Sequence, residues 1–126
     1  MLAQILERDA LRWFRPVQGQ FNIYYRRGFE QPEYVPDFVA ATSAINFLIE
    51  TKKAMDMNSD DVTAKAKAAV QWCVHASDYS AKHGGKPWLY LLIPHDAVQL
   101  NATLDALETR FAASMTNFLN GNSPSL

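Results

Sequence analysis

The sequence has few of the residues that mark secreted, membrane-spanning or strongly nucleic-acid-binding proteins. Its 126 residues contain one cysteine, Cys73. A lone cysteine cannot form an internal disulfide, so a reducing, cytoplasmic location is expected. No apolar run approaches the roughly 20 residues that cross a bilayer, and residues 1–4 lack the features of a signal peptide. The formal net charge is -1, whereas a free-standing nucleic-acid-binding protein is more often basic.

What the sequence does contain is enough apolar side chains for one packed domain. Hydrophobic residues make up 48% of the chain and charged residues 20%, which is the composition of an ordinary globular protein. We expect a single domain at residues 1–119. The last segment, 120–126, is polar and contains Gly121 and Pro124, so a frayed tail is expected there.

The pattern of apolar residues predicts both helices and strands. Helical spacing is found at residues 2–14, 62–82 and 100–118, while β-branched and aromatic runs predict strands at 21–25, 34–41, 44–51 and 88–93. Ser59 or Asp60 can cap the second helix, and Gly84-Gly85 can end it. The predicted fold is α/β: helix, three strands, helix, strand and helix, with a mixed central sheet flanked by helices.

Three charged side chains in the second and third predicted strands indicate a site. Side chains alternate along a strand, so Glu50 and Lys52 share one face. A turn centred on Ser43 and Ala44 would place Asp37 opposite Glu50. Two such carboxylates repel each other unless one is protonated or a cation lies between them. Magnesium prefers such oxygen ligands, and the alternative is an ordinary Glu-x-Lys ion pair on a solvated hairpin.

Short motifs along the chain resemble those of a known nuclease superfamily. Pro36-Asp37 followed by Glu50-Thr51-Lys52 resembles the PD-(D/E)XK signature of restriction-endonuclease-like nucleases. A wider set of motifs, over residues 2–118, resembles the C-terminal endonuclease domain of type III restriction-like helicase subunits. These motifs are Trp13-Phe14-Arg15-Pro16, Gly19-Gln20-Phe21, Pro36-Asp37-Phe38-Val39, Ile49-Glu50-Thr51-Lys52, Lys86-Pro87-Trp88 and Leu91-Leu92-Ile93-Pro94-His95-Asp96.

The resemblance implies hydrolysis of DNA phosphodiester bonds with Mg²⁺, or with Mn²⁺ in its place. Asp37 and Glu50 would bind the metal with the backbone carbonyl of Thr51, and Lys52 would position the attacking water. Glu7 of the first helix is the candidate for a further ligand, although it also fits a solvated position on a charged helix. The implied partners are DNA, a helicase domain in the same parent chain and a modification subunit. Because the sequence has no phosphate-binding loop of its own, the chain would be the nuclease part of a longer protein.

Four basic residues are candidates for contacts with DNA: Arg26, Arg27, Lys53 and Lys65. Dispersed charges of this kind also fit ordinary solvated surface. Two other functions remain open. One is a non-catalytic DNA-binding or subunit-interaction module with a nuclease fold, and the other is a dimerisation or scaffold domain. His95, in a turn after the fourth predicted strand, fits a phosphate contact or a simple turn position.

Overall fold

The computed structural model describes residues 1–113, which form three α-helices and one five-stranded sheet. In chain order the elements are α1 (Leu2–Asp9), β1 (Arg12–Phe14), β2 (Phe38–Ala41), β3 (Asn46–Lys52), α2 (Asp60–Lys82), β4 (Trp88–Pro94), α3 (Leu104–Phe111) and β5 (Ala112–Ala113). The strands lie in the order β1-β2-β3-β4-β5, and every neighbouring pair is antiparallel except β3 and β4. The predicted α/β class with a mixed sheet is confirmed.

Helix α2 makes the crossover that joins the parallel strands β3 and β4, as the sequence predicted. Its first turn is capped by Ser59, whose hydroxyl accepts a hydrogen bond from the Val62 amide at 3.2 Å. Its C-terminus is followed by Gly84, whose φ of 75° suits a residue without a Cβ. Strands β3 and β4 lie inside the sheet, which confirms that their apolar sequences belong to buried strands.

Two clusters of buried side chains cover the two faces of the sheet. On one face, α1 and α3 pack against the strand residues Phe38, Phe47, Ile49 and Leu91. The other face is covered by α2, with Ala66, Val70 and Cys73 among its buried residues, and by segments around Ile23 and Tyr34. The alternation of Phe47, Leu48 and Ile49 between these clusters places Glu50 and Lys52 on the α2 face.

The first helix is shorter than predicted, because α1 ends at Asp9 and residues 12–14 form an edge strand. Asp9 accepts a hydrogen bond from the Leu104 amide at 2.9 Å, which holds the end of α1 against the start of α3. Beyond it the chain is extended, and Trp13 pairs with Ala40 of β2. Trp13 and Phe14 fitted helical spacing, but two aromatic residues in succession also fit a short strand.

The strand predicted at residues 21–25 is wrong as a strand of the sheet. This segment pairs instead with residues 30–34, through hydrogen bonds from the Tyr25 amide to the Pro32 carbonyl and from the Tyr34 amide to the Ile23 carbonyl. We call this hairpin, residues 23–34, the arm. The strand predicted at 34–41 is correspondingly shorter, since β2 begins at Phe38.

The last helix also differs from its prediction. Helix α3 begins at Leu104, with Thr103 as its cap, and ends at Phe111. Ala112 and Ala113 then pair with Leu91 and Tyr90 as the short strand β5, so an additional strand follows the predicted elements. The rest of the helix predicted at 100–118, the domain boundary at 119 and the tail at 120–126 lie outside the described residues. Within residues 1–113 no helix is long and apolar enough to cross a membrane.

Candidate active site

The hairpin of β2 and β3 has the register that the sequence predicted. Phe38 pairs with Ile49 and Ala41 with Asn46. The Thr42 amide donates to the Ile45 carbonyl at 2.9 Å and closes the turn. Extending this register by one residue beyond Phe38 and Ile49 brings residue 37 opposite residue 50, at the end of the two strands.

The side chain of Asp37 is held against the backbone of β3. Its Oδ2 accepts a hydrogen bond from the Thr51 amide at 2.9 Å and another from the Thr51 hydroxyl at 3.2 Å. Among residues 1–113 no hydrogen bond reaches the other carboxylate oxygen, Oδ1. Asp37 is therefore fixed in orientation and keeps an oxygen for a further ligand.

The carbonyl of Thr51 lies at the same edge of β3. The N–H and C=O of a residue in an antiparallel strand point to the same neighbour, and the Thr51 N–H points to Asp37. The residue opposite Thr51 in the extended register is Pro36, which has no N–H to donate. The Thr51 carbonyl thus points to the side of β3 on which β2 lies, and Pro36 offers it no N–H, so this oxygen remains available as a ligand.

Glu50 is the one charged residue buried among residues 1–113, with 5% of its surface exposed. The Tyr34 hydroxyl donates to its Oε1 at 2.8 Å, and the ammonium of Lys52 lies 3.3 Å from its Oε2. Burial raises the pKa of Glu50, and the nearby carboxylate of Asp37 raises that pKa further, against the opposing effects of Tyr34 and Lys52. The direction of this pKa shift agrees with the repulsion between the two carboxylates that the hairpin register suggested.

Two tyrosines complete a buried hydrogen-bonded group around Glu50. The hydroxyls of Tyr34 and Tyr90 lie 2.9 Å apart, and both side chains are buried. Tyr90 pairs with Leu48 in the parallel ladder, on the same face as Glu50. Neither tyrosine was identified from the sequence. Tyr90 carries the one hydroxyl in the apolar run at 88–93, and a buried hydroxyl needs a polar partner, so it offered a signal.

A cleft of about 410 Å³ opens beside Asp37 and Thr51. Arg15 and His95 also line it, and the Arg15 guanidinium lies 4.6 Å from the centre of the Phe38 ring. The sequence is compatible with His95 as a phosphate contact or as a simple turn residue, and it indicates no chemical role for Arg15. Both side chains line the cleft, where Arg15 can contribute positive charge and both can contribute hydrogen-bond donors next to Asp37.

Glu7 has a different partner from the other predicted ligands. Its Oε2 accepts a hydrogen bond from the Trp13 indole nitrogen at 2.7 Å, and Trp13 packs on the ring of Phe38 at 5.9 Å between centroids. Glu7 is not among the residues that line the cleft beside Asp37. The structure thus brings Asp37, Glu50, Thr51 and Lys52 together and places Glu7 in a separate contact with β1.

The four basic residues predicted to contact DNA are spread over three elements. Arg26 and Arg27 lie in the arm, and Lys53 is exposed directly after β3. Lys65 of α2 makes an ion pair with Asp61 at 2.9 Å and lies 5.5 Å from the centre of the Tyr25 ring. The four residues therefore lie on three separate segments: the arm, the residue that follows β3, and α2.

The donor set at the end of β2 and β3 fits a hard divalent cation. Asp37 and Glu50 supply carboxylate oxygens and Thr51 a carbonyl oxygen, the ligand types that Mg²⁺ prefers alongside water. Burial and the Asp37 carboxylate both raise the pKa of Glu50, and a bound cation would offset these two effects by stabilising the ionised form. Within residues 1–113 no group of three or more His, Cys, Asp or Glu side chains is arranged to hold a metal, so a cation here would rely on backbone and water oxygens.

Comparison of the chain with protein-family models, with curated proteins and with solved structures finds no match. The interpretation of the site therefore depends on its own geometry and on the motifs in the sequence.

Proposed function

We propose that this domain is a magnesium-dependent deoxyribonuclease with a restriction-endonuclease-like core, belonging to a type III restriction-like helicase–nuclease. The observation that carries the proposal is the position of Asp37 beside Glu50 at the end of two paired strands, with Lys52 on the same face as Glu50. Two carboxylates and one lysine in this arrangement suit hydrolysis of a phosphodiester, where negative charge develops on the phosphoryl oxygens.

Asp37, Glu50 and the Thr51 carbonyl are the residues that would hold the metal, which supplies Lewis acidity toward a phosphoryl oxygen and lowers the pKa of bound water. The two hydrogen bonds from Thr51 fix the Asp37 carboxylate, and the Tyr34 hydroxyl fixes that of Glu50. These contacts preorganise the charges before substrate binds.

Lys52 supplies the positive charge nearest to Glu50. Its ammonium lies 3.3 Å from the Glu50 carboxylate, which anchors it at the site rather than in solvent. From there it can donate a hydrogen bond to the attacking water and stabilise charge on the phosphate. Arg15 and His95, on the cleft beside Asp37, can hold a neighbouring phosphate of the same strand.

A second candidate function is the non-catalytic module, and one observation favours it. Both oxygens of Glu50 already have partners, Tyr34 and Lys52, so the site is stable as a closed ion pair without any cation. In that case the domain would bind DNA or its parent helicase without cutting.

Nicking of supercoiled plasmid DNA by the full chain in Mg²⁺ separates the two functions. We expect the wild type to nick the plasmid and to stop when EDTA is added. Asp37→Ala and Lys52→Ala should each lose activity by about 100-fold or more, the typical effect of removing a transition-state contact. The matched controls are Asp78→Ala and Lys82→Ala, exposed positions near the end of α2. Equal cutting by all five proteins would overturn the site assignment.

A further inference from the structure

The arm is a β-hairpin with a two-residue loop, and this loop carries a fully exposed phenylalanine. Arg27 and Glu30 exchange two backbone hydrogen bonds of 3.0 Å, which leaves Gly28 and Phe29 as the loop. Gly28 has a φ of 62°, and within residues 1–113 Asn22 is the one residue other than glycine with positive φ. A positive φ at the first loop residue alone defines a type II′ turn. The Phe29 side chain is thus presented at the tip, with no cover from residues 1–113.

The base of the arm is fixed to the candidate active site. Ile23, Tyr25 and Tyr34 are buried against α2 and the sheet, and the Tyr34 hydroxyl donates to Glu50 at 2.8 Å. From residue 34 to residue 29 the hairpin extends five residues, roughly 16 Å at about 3.3 Å per residue. Phe29 therefore lies roughly 16 Å along the arm from Tyr34, the residue that contacts Glu50.

The charges of the arm largely cancel. Arg27 pairs with Glu30 at 3.2 Å, and Glu33 accepts a hydrogen bond from the Gly19 amide at 2.7 Å. Within the part of the chain that the structure describes, Arg26 has no carboxylate partner. The tip thus offers one aromatic ring with one free cation beside it. Such a surface binds through its ring more than through attraction to phosphates.

We propose that Phe29 stacks on an unpaired base of the nucleic-acid substrate, so that the domain prefers DNA with a single-stranded segment near the cleavage site. The inference rests on the proposed function and adds a substrate class to it. Stacking on an exposed aromatic ring tolerates any base. A base within a duplex is already stacked, and inserting a side chain there costs a few kcal/mol per step, which one ring on a nearly neutral arm does not offset.

Fluorescence anisotropy tests the proposal with the full chain in EDTA, so that binding is measured without cleavage. The probes are a fluorescein-labelled single strand of mixed sequence and the same strand in a blunt duplex. We expect Phe29→Ala to weaken binding of the single strand about 5- to 100-fold, the effect of one lost stacking contact, and to leave duplex binding nearly unchanged. Phe29→Trp should retain affinity. Its added indole emission, measured against wild type, should be quenched when the single strand binds.

The matched control is Tyr79→Ala, which removes another exposed aromatic residue. Tyr79 lies about 21 Å along α2, at 1.5 Å per residue, from Lys65, the helix residue beside the Tyr25 ring of the arm. It should bind both probes as the wild type does. The salt dependence of binding should be the same for wild type and Phe29→Ala, since stacking releases no counterions.

Three results would overturn the inference: wild type that binds neither probe, Phe29→Ala that binds the single strand as tightly as wild type, or an equal loss in Tyr79→Ala. In the second case, a change of self-association in Phe29→Ala would identify the tip as a protein interface. The nuclease proposal fails separately. Binding that depends on Phe29 without any Mg²⁺-dependent nicking would reject the nuclease proposal and support the stacking role of Phe29. Mg²⁺-dependent nicking with unchanged DNA binding in Phe29→Ala would support the nuclease proposal and reject the stacking role.

Discussion

Replacing Tyr34 with phenylalanine removes one hydroxyl from the buried hydrogen-bonded group formed by Tyr34, Tyr90 and Glu50. That hydroxyl donates to the Glu50 carboxylate at 2.8 Å and lies 2.9 Å from the Tyr90 hydroxyl. A hydrogen bond to a charged group contributes about 1.5–3 kcal/mol, and a neutral one about 0.5–1.5 kcal/mol. Tyr34→Phe should therefore lower the free energy of unfolding by about 2–4.5 kcal/mol, or the melting temperature by about 8–18 °C for a domain of this size.

The loss should depend on pH in a defined direction. The hydrogen bond from Tyr34 lowers the pKa of Glu50, although burial and Asp37 keep that pKa above its ordinary value of 4.5. The bond therefore stabilises the ionised form of Glu50. Its removal costs most where Glu50 is ionised in the folded protein, and the cost shrinks as the pH falls through the raised folded-state pKa.

Urea denaturation at about pH 8 and about pH 5, followed by circular dichroism, measures both effects. Tyr25→Phe is the matched control, because Tyr25 is buried in the same cluster and its hydroxyl makes no hydrogen bond within residues 1–113. We expect a large, pH-dependent loss in Tyr34→Phe and little change in Tyr25→Phe. Equal stability of the two variants at both pH values would refute the role given to the Tyr34 hydroxyl.

Three further variants test Glu50, Lys52 and the cap of α2. Glu50→Gln should abolish nicking, and its stability relative to wild type should increase as the pH rises above 4.5, because ionising a carboxyl whose pKa is raised by burial destabilises the fold; a difference in urea midpoint that is constant or falls between about pH 5 and about pH 8 would contradict this. Lys52→Met should slow nicking about 100- to 1,000-fold and leave the DNA affinity in EDTA unchanged. Lys82→Met should change neither the nicking rate nor the DNA affinity. Ser59→Ala should cost about 1 kcal/mol in urea denaturation through loss of the α2 cap, and an unchanged midpoint would disprove that cap's contribution.

The hairpin that positions the site could be predicted from sequence because the alternation of side chains and the position of the turn indicated the same register. Alternation along residues 44–51 assigned the faces of β3, and a two-residue turn at Ser43 and Ala44 fixed the register, as the pairing of Phe38 with Ile49 confirms. The cap at Ser59 and the stop at Gly84 follow strong local rules for the same reason.

Where the prediction was wrong, partners distant in sequence decided the structure. Trp13 has helical spacing from the preceding apolar residues, but in the structure it lies in an edge strand and pairs with Ala40 of β2. Residues 21–25 have strand composition, yet their partner is the other half of the arm rather than the sheet. Local patterns identify extended segments and do not name their neighbours.

The environment of Glu50 shows the same limit at the level of the site. Its spacing from Lys52 is visible in the sequence, but its hydrogen bond comes from Tyr34, 16 positions before it, and the Tyr34 hydroxyl is bonded in turn to that of Tyr90, 40 positions after it. The placement of Arg15 and His95 on the cleft beside Asp37 likewise depends on the pairing of β1 with β2 and of β4 with β3. Long-range packing of this kind leaves no periodic signal.

Binding of Mn²⁺ to the full chain without DNA tests the central claim most directly, because it asks whether the two carboxylates hold a cation. The free ion is counted by electron paramagnetic resonance during titration. We predict one site in the wild type, its loss in Asp37→Asn and Glu50→Gln, its retention in Asp78→Asn, and its displacement by excess Mg²⁺. Identical Mn²⁺ binding by wild type, Asp37→Asn and Glu50→Gln, or no binding by any of them, would contradict a metal site at the end of β2 and β3.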